Sequence, residues 1–472
     1  MHTLSCRPRS LMLALWLLFF SLPACGDGSL TAGAVSVEDG SLADQSPLGG
    51  ALGAGGTGSG AGDPADGVYL ADAGPLRGDI GLGAPGDGQV HWTGDGAPVG
   101  PGSDAATPDA AVVPPPPTEP PPPSAPPPPP PSAPPPLAVF FNEPGDAAVE
   151  TLQTEMIRLV DLASAGSELR ISMYEWGQPA YVDAVLRAAG RGVDVRIVMN
   201  GTDDTIEPAI HDALSAGLGA DRLTSCPRGA CIGTGINHNK FLLLSHLDDG
   251  SLNVVVQGSH NFKSSQNWRF NHLVVVRGDN ALYGEYRSYW NDLRAGQQSL
   301  DYYRSFTGDS GVKGYFFPRA SGDLIVSVLD NVHCDAGAEI HVAMAFFKND
   351  RVEVADKLRA LHDAGCAVRM VFGNYPDADP DQASPGADTR AALRGMDWVV
   401  YDLPNVTVHS KYMLIRARYG EGAVVETLVF AGSHNWTGAA LRRNDEAVMR
   451  LEDAASYQAF LADWNLMRSR LP

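Results

Sequence analysis

The sequence predicts an α/β sandwich fold written as two copies of one unit, with mixed, mostly parallel sheets flanked by helices. Three observations carry that prediction. A short polar cassette occurs twice, the chain after residue 137 alternates helical and strand periodicities, and the composition changes abruptly at the same boundary.

The cassette comes first. His238-Asn239-Lys240 is followed by Gly258-Ser259-His260-Asn261, and His409-Ser410-Lys411 by Gly432-Ser433-His434-Asn435, with the two His-x-Lys triplets 171 residues apart. The repeat extends outward, which marks a true duplication. Glu168 to Met173 matches Glu339 to Met344, Val195 to Val198 matches Val368 to Val371, and Phe140-Phe141 and Phe316-Phe317 open the two copies. From Gly258 to His272 and from Gly432 to Glu446 the copies align without a gap, which sets Arg269 on Arg443 and His272 on Glu446.

Within the first copy, apolar residues recur at helical spacing over Val149 to Ala163 and Pro179 to Ala189, and the stretches Leu169 to Tyr174 and Val193 to Met199 read as strands. Phe241 to Leu244 and Leu252 to Val256 are further strands, as are Tyr412 to Ile415 and Val424 to Phe430 in the second copy. Alternation of this kind builds an α/β sandwich. Ligands in such folds collect at strand ends, where both His-x-Lys triplets fall.

Residues 1–25 carry Arg7 and Arg9, then an apolar run from Leu11 to Leu22, then Pro23-Ala24-Cys25. The run is shorter than the ~20 residues that cross a bilayer, so it reads as an export signal. Its ending resembles a bacterial lipobox, which makes Cys25 the lipid-modified first residue of a membrane-anchored envelope lipoprotein. Pro23 departs from that pattern, and a plain signal cleavage releasing a secreted protein is the alternative.

Residues 26–137 hold 13 acidic residues against Arg77 alone and few large apolar side chains. They read as a disordered linker ending in a polyproline spacer of roughly 70 Å at about 3.1 Å per residue. The whole chain has a net charge of −21, of which −11 belongs to residues 138–472. That balance argues against a nucleic-acid partner without excluding a local basic groove. Two units follow, over 138–305 and 306–472.

In an exported chain, Cys226 and Cys231 fit a small loop disulfide. Cys334 and Cys366 each precede a strand, so a bridge between them forms if those strands are parallel neighbours; two buried thiols are the other reading. Their spacing matches none of the common structural zinc patterns, and no metal site is expected.

These residues resemble the phospholipase D superfamily, phosphodiesterases with a repeated His-x-Lys-x(4)-Asp motif and a downstream Gly-Ser-x-Asn. The resemblance covers residues 138–472. It implies two halves related by a pseudo-twofold axis, one active site between them in a single chain acting as a monomer, and no cofactor. It further implies that His238 is the nucleophile that forms a phosphohistidine and that His409 is the general acid and later the base. Lys240, Lys411, Asn261 and Asn435 then hold the phosphoryl oxygens, supported by Ser259 and Ser433. The expected substrate is a phospholipid or another phosphodiester, with a nuclease or an inactive binding module as alternatives.

Two departures stand out. Ser245 and Arg416 occupy the places of the motif Asp, and Glu446 matches a carboxylate that orients a catalytic imidazole while His272 aligns with it in the first copy. The sequence therefore predicts halves that differ around the two histidines.

Overall fold

The computed structural model describes residues 133–471 except 145–149, 203–204, 378–382, 402 and 404–405. The signal segment, Cys25 and the linker through residue 132 lie outside the described residues. No described helix is long and apolar enough to cross a membrane.

The first half contains strands β1 (Leu137–Phe141), β2 (Glu168–Met173), β3 (Asp194–Met199), β4 (Leu223–Ser225), β5 (Lys240–His246), β6 (Leu252–Gly258), β7 (Arg269–Phe270) and β8 (His272–Val276). Its helices are α1 (Thr151–Asp161), α2 (Pro179–Gly190), α3 (Pro208–Leu218) and α4 (Asn280–Ala295). The second half contains β9 (Arg304–Thr307), β10 (Lys313–Phe317), β11 (Val332–His333), β12 (Glu339–Met344), β13 (Ala367–Gly373) and β14 (Asp397–Tyr401). It continues with β15 (Thr407–Val408), β16 (Lys411–Tyr419), β17 (Val425–Gly432) and β18 (Glu446–Leu451). The helices of this half are α5 (Leu324–Leu329), α6 (Val352–Asp363), α7 (Ala387–Ala392), α8 (Gly438–Arg442) and α9 (Ala454–Ser469).

The two sheets repeat one topology. The first runs β1-β8-β6-β5-β2-β3-β4, and the second β10-β18-β17-β16-β12-β13-β14 with β9 added beyond β10 and β11 pairing with β16. Both are mixed, as expected, but the expected parallel majority is not found. Within these two sheets, among the described residues, β2-β3-β4 and β12-β13-β14 pair in parallel and the other pairings are antiparallel; a separate two-stranded pair, β7-β15, is parallel. The cause is local. Tight connections over 247–251 and 420–424 join β5 to β6 and β16 to β17, and a connection that short permits only an antiparallel hairpin.

Alternation along the strands assigns each face of a sheet to a different layer. Phe241 and Leu243 face a central core that holds α4 and α9 and includes Tyr412, Leu414 and Val429 from the second sheet. Leu242 and Leu244 face the outer core with residues of α1 and α2. Met413 and Ile415 do the same on the far side, against α5 and α6. α4 packs on β9 and β10 of the second half and α9 on β1 of the first, which locks the halves together. Asp279 and Asp453 cap α4 and α9 by accepting from the N–H groups of Leu282 and Ser456 at 2.8 and 2.7 Å.

Both disulfides form, Cys226–Cys231 and Cys334–Cys366. The second follows from the parallel register of Glu339 opposite Ala367, which brings the two cysteine Cα atoms to 4.7 Å. Ser245 and Arg416, where the motif Asp would stand, serve the far ends of their strands. The Ser245 hydroxyl accepts from the Glu168 N–H at 2.8 Å, and Arg416 donates to the Gly337 carbonyl at 3.0 Å with Glu339 3.6 Å away.

Candidate active site between the halves

Each histidine of the cassette immediately precedes a central strand, next to the C-terminal end of its neighbour: Lys240 pairs with Met173 and Lys411 with Met344. His238, Lys240, His409 and Lys411 are all buried. The lysines fold back, Lys240 Nζ donating to the His238 carbonyl and Lys411 Nζ to the His409 carbonyl, each at 2.8 Å. Lys240 also lies over the Tyr174 ring at 5.0 Å, and that ring meets the His238 imidazole edge-on.

The histidines are oriented from opposite halves. His238 Nδ1 donates to Glu446 Oε2 of the second half at 2.9 Å. His409 Nδ1 donates to Asn271 Oδ1 of the first half, also at 2.9 Å. The Asn271 amide is turned unambiguously, because its Nδ2 donates to the Gln266 carbonyl and side-chain oxygen at 3.1 and 3.2 Å. With Nδ1 carrying the proton, Nε2 of each ring is the nitrogen available for chemistry.

Asn271, not His272, is therefore the counterpart of Glu446, and the gapless alignment is corrected by one residue. Gly258 faces Leu273 and Gly432 faces Val448 in the two sheets. The Ser259 N–H donates to the His272 carbonyl and the Ser433 N–H to the Ala447 carbonyl, so His272 matches Ala447. The second copy has one more residue between cassette and strand, where a 3-10 turn over Ser264–Trp268 is replaced by α8. By the same offset Arg269 matches Asn444, not Arg443. His272 is packed beside Tyr412 and Phe460, neither ring nitrogen has a hydrogen-bond partner, and burial followed by the Lys411 charge lowers its pKa to about 3. It is a neutral core residue and takes no part in orienting His409.

The serines complete both arrangements. Ser433 Oγ donates to Glu446 Oε2 at 2.5 Å and Ser259 Oγ to Asn271 Oδ1 at 2.9 Å, while each hydroxyl accepts a backbone N–H at 3.1 Å. The preceding glycines permit this close approach: a Cβ on Gly258 would lie 2.3 Å from the His272 carbonyl oxygen and one on Gly432 2.2 Å from that of Ala447.

The asymmetry is electrostatic. Glu446 is fully buried, with Asn444 Nδ2 donating to its other oxygen at 3.3 Å. His409 faces a neutral amide instead, and burial, then Lys411, Arg269, Lys240 and His238, hold its pKa well below 6.5. Asn261 and Asn435 are buried beside their cassettes. Asn261 Nδ2 donates to Glu175 Oε2 at 2.7 Å, and Lys263 lies 3.2 Å from the same carboxylate. The backbone pairing that puts Glu175 there puts Phe346 in the second half, where it stacks on Tyr375 at 4.0 Å. His260 donates or accepts at Asn267 and His434 packs on Phe317; burial lowers the His260 pKa to about 4 and takes that of His434 well below 6.5.

A cleft of about 550 Å³ opens where β15 pairs with β7, lined by Trp268, Arg269, Tyr401, Leu403, Val406 and Thr407 among others. Trp268 is 51 % exposed there, not a core residue like Trp436. Sequence reasoning missed Asn271, Glu175 and Arg269. Allowing one gap after the first Gly-Ser-His-Asn would have found Asn271; Glu175 and Arg269 carry no signal outside the fold.

The family model described as "Cardiolipin synthase, PLD-like domain" matches residues 159–293 and again 334–467. The chain belongs to the phospholipase D-like family of phosphodiesterases, each match being one half of the fold. Phosphatidylserine synthase of Haemophilus influenzae is structurally similar, at 12 % identity and a TM-score of 0.51 over 71 % of this chain and 86 % of that one. Nuc of Salmonella typhimurium, a phospholipase D family member, aligns at 22 % identity and a TM-score of 0.25 over 34 % of this chain and 95 % of its own. Polyphosphate kinase of Porphyromonas gingivalis aligns at 11 % identity and a TM-score of 0.46 over 70 % of this chain, which spans 50 % of that enzyme. No curated protein matches the sequence.

Proposed function

We propose that this protein hydrolyses or transfers phospholipid head groups through a phosphohistidine on His238. The observation that carries the reading is the pair of buried imidazoles, each held through Nδ1 by the opposite half, one by a carboxylate and one by an amide.

In the first step His238 Nε2 attacks phosphorus, the phosphorus–oxygen bond to the leaving alcohol breaks, and protonated His409 gives its Nε2 proton to that oxygen. The ring of His238 becomes positively charged, and the Glu446 carboxylate stabilises that charge where it develops. An amide on His409 fixes its tautomer without stabilising its cation, which makes the protonated ring a strong acid. The phosphate's negative charge offsets the neighbouring cations and so favours a proton on His409 once substrate is bound. In the second step neutral His409 takes a proton from water or an acceptor alcohol, that oxygen attacks phosphorus, and the nitrogen–phosphorus bond breaks. Lys240, Lys411 and the amide hydrogens of Asn261 and Asn435 would hold the nonbridging oxygens.

The cleft at Thr407 and Arg269 would take the apolar part of the substrate that stays on phosphorus. The apolar and aromatic rim at Trp268 and Leu403, with the net negative charge of the folded part, favours a lipid over a polynucleotide. In the cell, a signal ending at Cys25 would anchor the single chain, carrying both half-sites, to the bacterial envelope; loss of palmitate labelling in Cys25→Ala tests that.

The function is tested with phosphatidylcholine and phosphatidylglycerol vesicles, single-stranded DNA and the chromogenic diester bis(p-nitrophenyl) phosphate, in EDTA. Head-group release, with a phosphorylated peptide containing His238 that is absent from His238→Ala, is the expected result. Cleavage of DNA alone would establish a nuclease instead, and no turnover of any diester would overturn the reading.

A further inference from the structure

Asp445, one residue before Glu446, is fully buried and receives an unusual concentration of donors. Its carboxylate accepts the N–H groups of Cys231 at 2.6 Å, Ile232 at 3.2 Å and Gly233 at 2.7 Å. The contacts continue along the chain. Thr234 and Gly235 donate to the Arg443 carbonyl at 2.8 and 2.9 Å, Ile236 N–H to Asn444 Oδ1 at 3.2 Å, and Asp445 N–H to the Ile236 carbonyl at 2.9 Å. Finally His238 N–H donates to the Asp445 carbonyl at 3.0 Å. A strap from the first half thus runs along residues 443–445 of the second and ends on the candidate nucleophile. Gly233 allows the approach, since a Cβ there would lie 1.8 Å from the Arg443 carbonyl oxygen. The Cys226–Cys231 disulfide closes the loop from which the strap starts.

The other half solves the same backbone problem without a charge. His409 N–H donates to the Phe270 carbonyl, so Phe270 stands where Asp445 does, and its ring packs on Tyr401 at 5.2 Å. Burying a carboxylate beside a second carboxylate costs stability that an aromatic ring does not. Burial lifts the Asp445 pKa to about 7 against the opposing pull of the three N–H donors, with Glu446 adding to the rise. The costly solution is found only beside the histidine whose orienting group is itself a carboxylate. Cys226, Cys231 and Asp445 lie close enough together to suggest a metal site. The cysteines are oxidised and the carboxylate is filled by N–H donors, so they hold each other instead.

We propose that Asp445 is a positioning residue that, gripped by the disulfide-closed loop, holds Glu446 in line with His238 Nδ1, so that full turnover requires the Cys226–Cys231 bridge. The proposal rests on the reading of His238 as the nucleophile. It is tested in the full chain with Asp445→Asn, Glu446→Gln and the double variant on bis(p-nitrophenyl) phosphate. Asp445→Asn puts an amide N–H against N–H donors; kcat is expected to fall at least ~10-fold with KM within ~2-fold, and the same change in the Glu446→Gln background to cost less than ~2-fold more, because both act through one contact. Losses that multiply unchanged in the double variant would overturn it, since a general loss of folded protein multiplies in that way.

A second arm keeps the native Asp445. In a Cys334→Ser/Cys366→Ser background, reduction of the remaining disulfide should lower kcat by a similar factor, reversibly on reoxidation; undiminished turnover after reduction would overturn the proposal. A third needs no activity: in protein labelled with 15N-histidine, the Nδ1–H resonance of His238 should vanish or shift in Asp445→Asn. If wild type turns over no diester and that resonance is lost, the enzymatic reading fails and the strap stands; an unmoved resonance overturns the strap.

Discussion

Replacing Glu446 by Gln isolates the charge that distinguishes the two histidines. The carboxylate lies 2.9 Å from His238 Nδ1, fully buried, and the amide is nearly isosteric: its oxygen can still accept from His238 and Ser433, while its NH2 gives up only the 3.3 Å bond from Asn444. When His238 bonds to phosphorus its ring gains a full positive charge. At an effective dielectric constant near 20 and a charge separation of about 4 Å, the lost attraction is about 4 kcal/mol, or close to 10³-fold in the rate of forming the phosphohistidine. Asn271→Ala removes a neutral acceptor from His409 and should cost about 1 kcal/mol, near 5-fold. The assay is the pre-steady-state burst of p-nitrophenol from bis(p-nitrophenyl) phosphate, which reports the first step before the intermediate is hydrolysed. A loss in Glu446→Gln no larger than that in Asn271→Ala would refute the charge argument and with it the assignment of His238 as the nucleophile.

Other outcomes follow from the same structure. His409 must carry a proton in the first step, and its pKa in the free protein is held well below 6.5, so kcat/KM should rise as pH falls from 7; Arg269→Gln removes one neighbouring cation and should move that limb to higher pH. Asp463 is buried, receives a hydrogen bond from Tyr412 at 2.8 Å, and has its pKa raised to about 8 chiefly by burial. A carboxyl whose folded pKa lies above its unfolded one keeps its proton longer in the native state, so stability falls as pH rises from about 4 to about 8, by roughly 1.4 kcal/mol per pH unit. Asp463→Asn should flatten that slope in urea unfolding at several pH values, and an unchanged slope would contradict the assignment. Cys334→Ser/Cys366→Ser opens a loop of sequence separation 32 and should lower stability by about 3 kcal/mol, read as a fall in the urea midpoint.

Much of the fold was legible because the duplication is carried by uninterrupted strands. Leu169 to Tyr174 and Tyr412 to Ile415 fall within a residue of β2 and inside β16, since apolar runs next to fixed polar residues leave little freedom of register. Sheet direction was not legible: alternating helix and strand suggests parallel pairing, and only the short hairpins after β5 and β16 reveal the antiparallel half of each sheet.

The sequence by itself determined the two His-x-Lys cassettes, the serines and asparagines that follow them, and the family those residues belong to. Tertiary structure alone decided which group faces each imidazole. The partner of His238 lies 208 residues away and that of His409 138, both across the interface. One residue of difference between a 3-10 turn and α8 moves the contact from His272 to Asn271. Side-chain direction reverses at every step along a strand, so that single residue separates a group inside the site from one buried in the core.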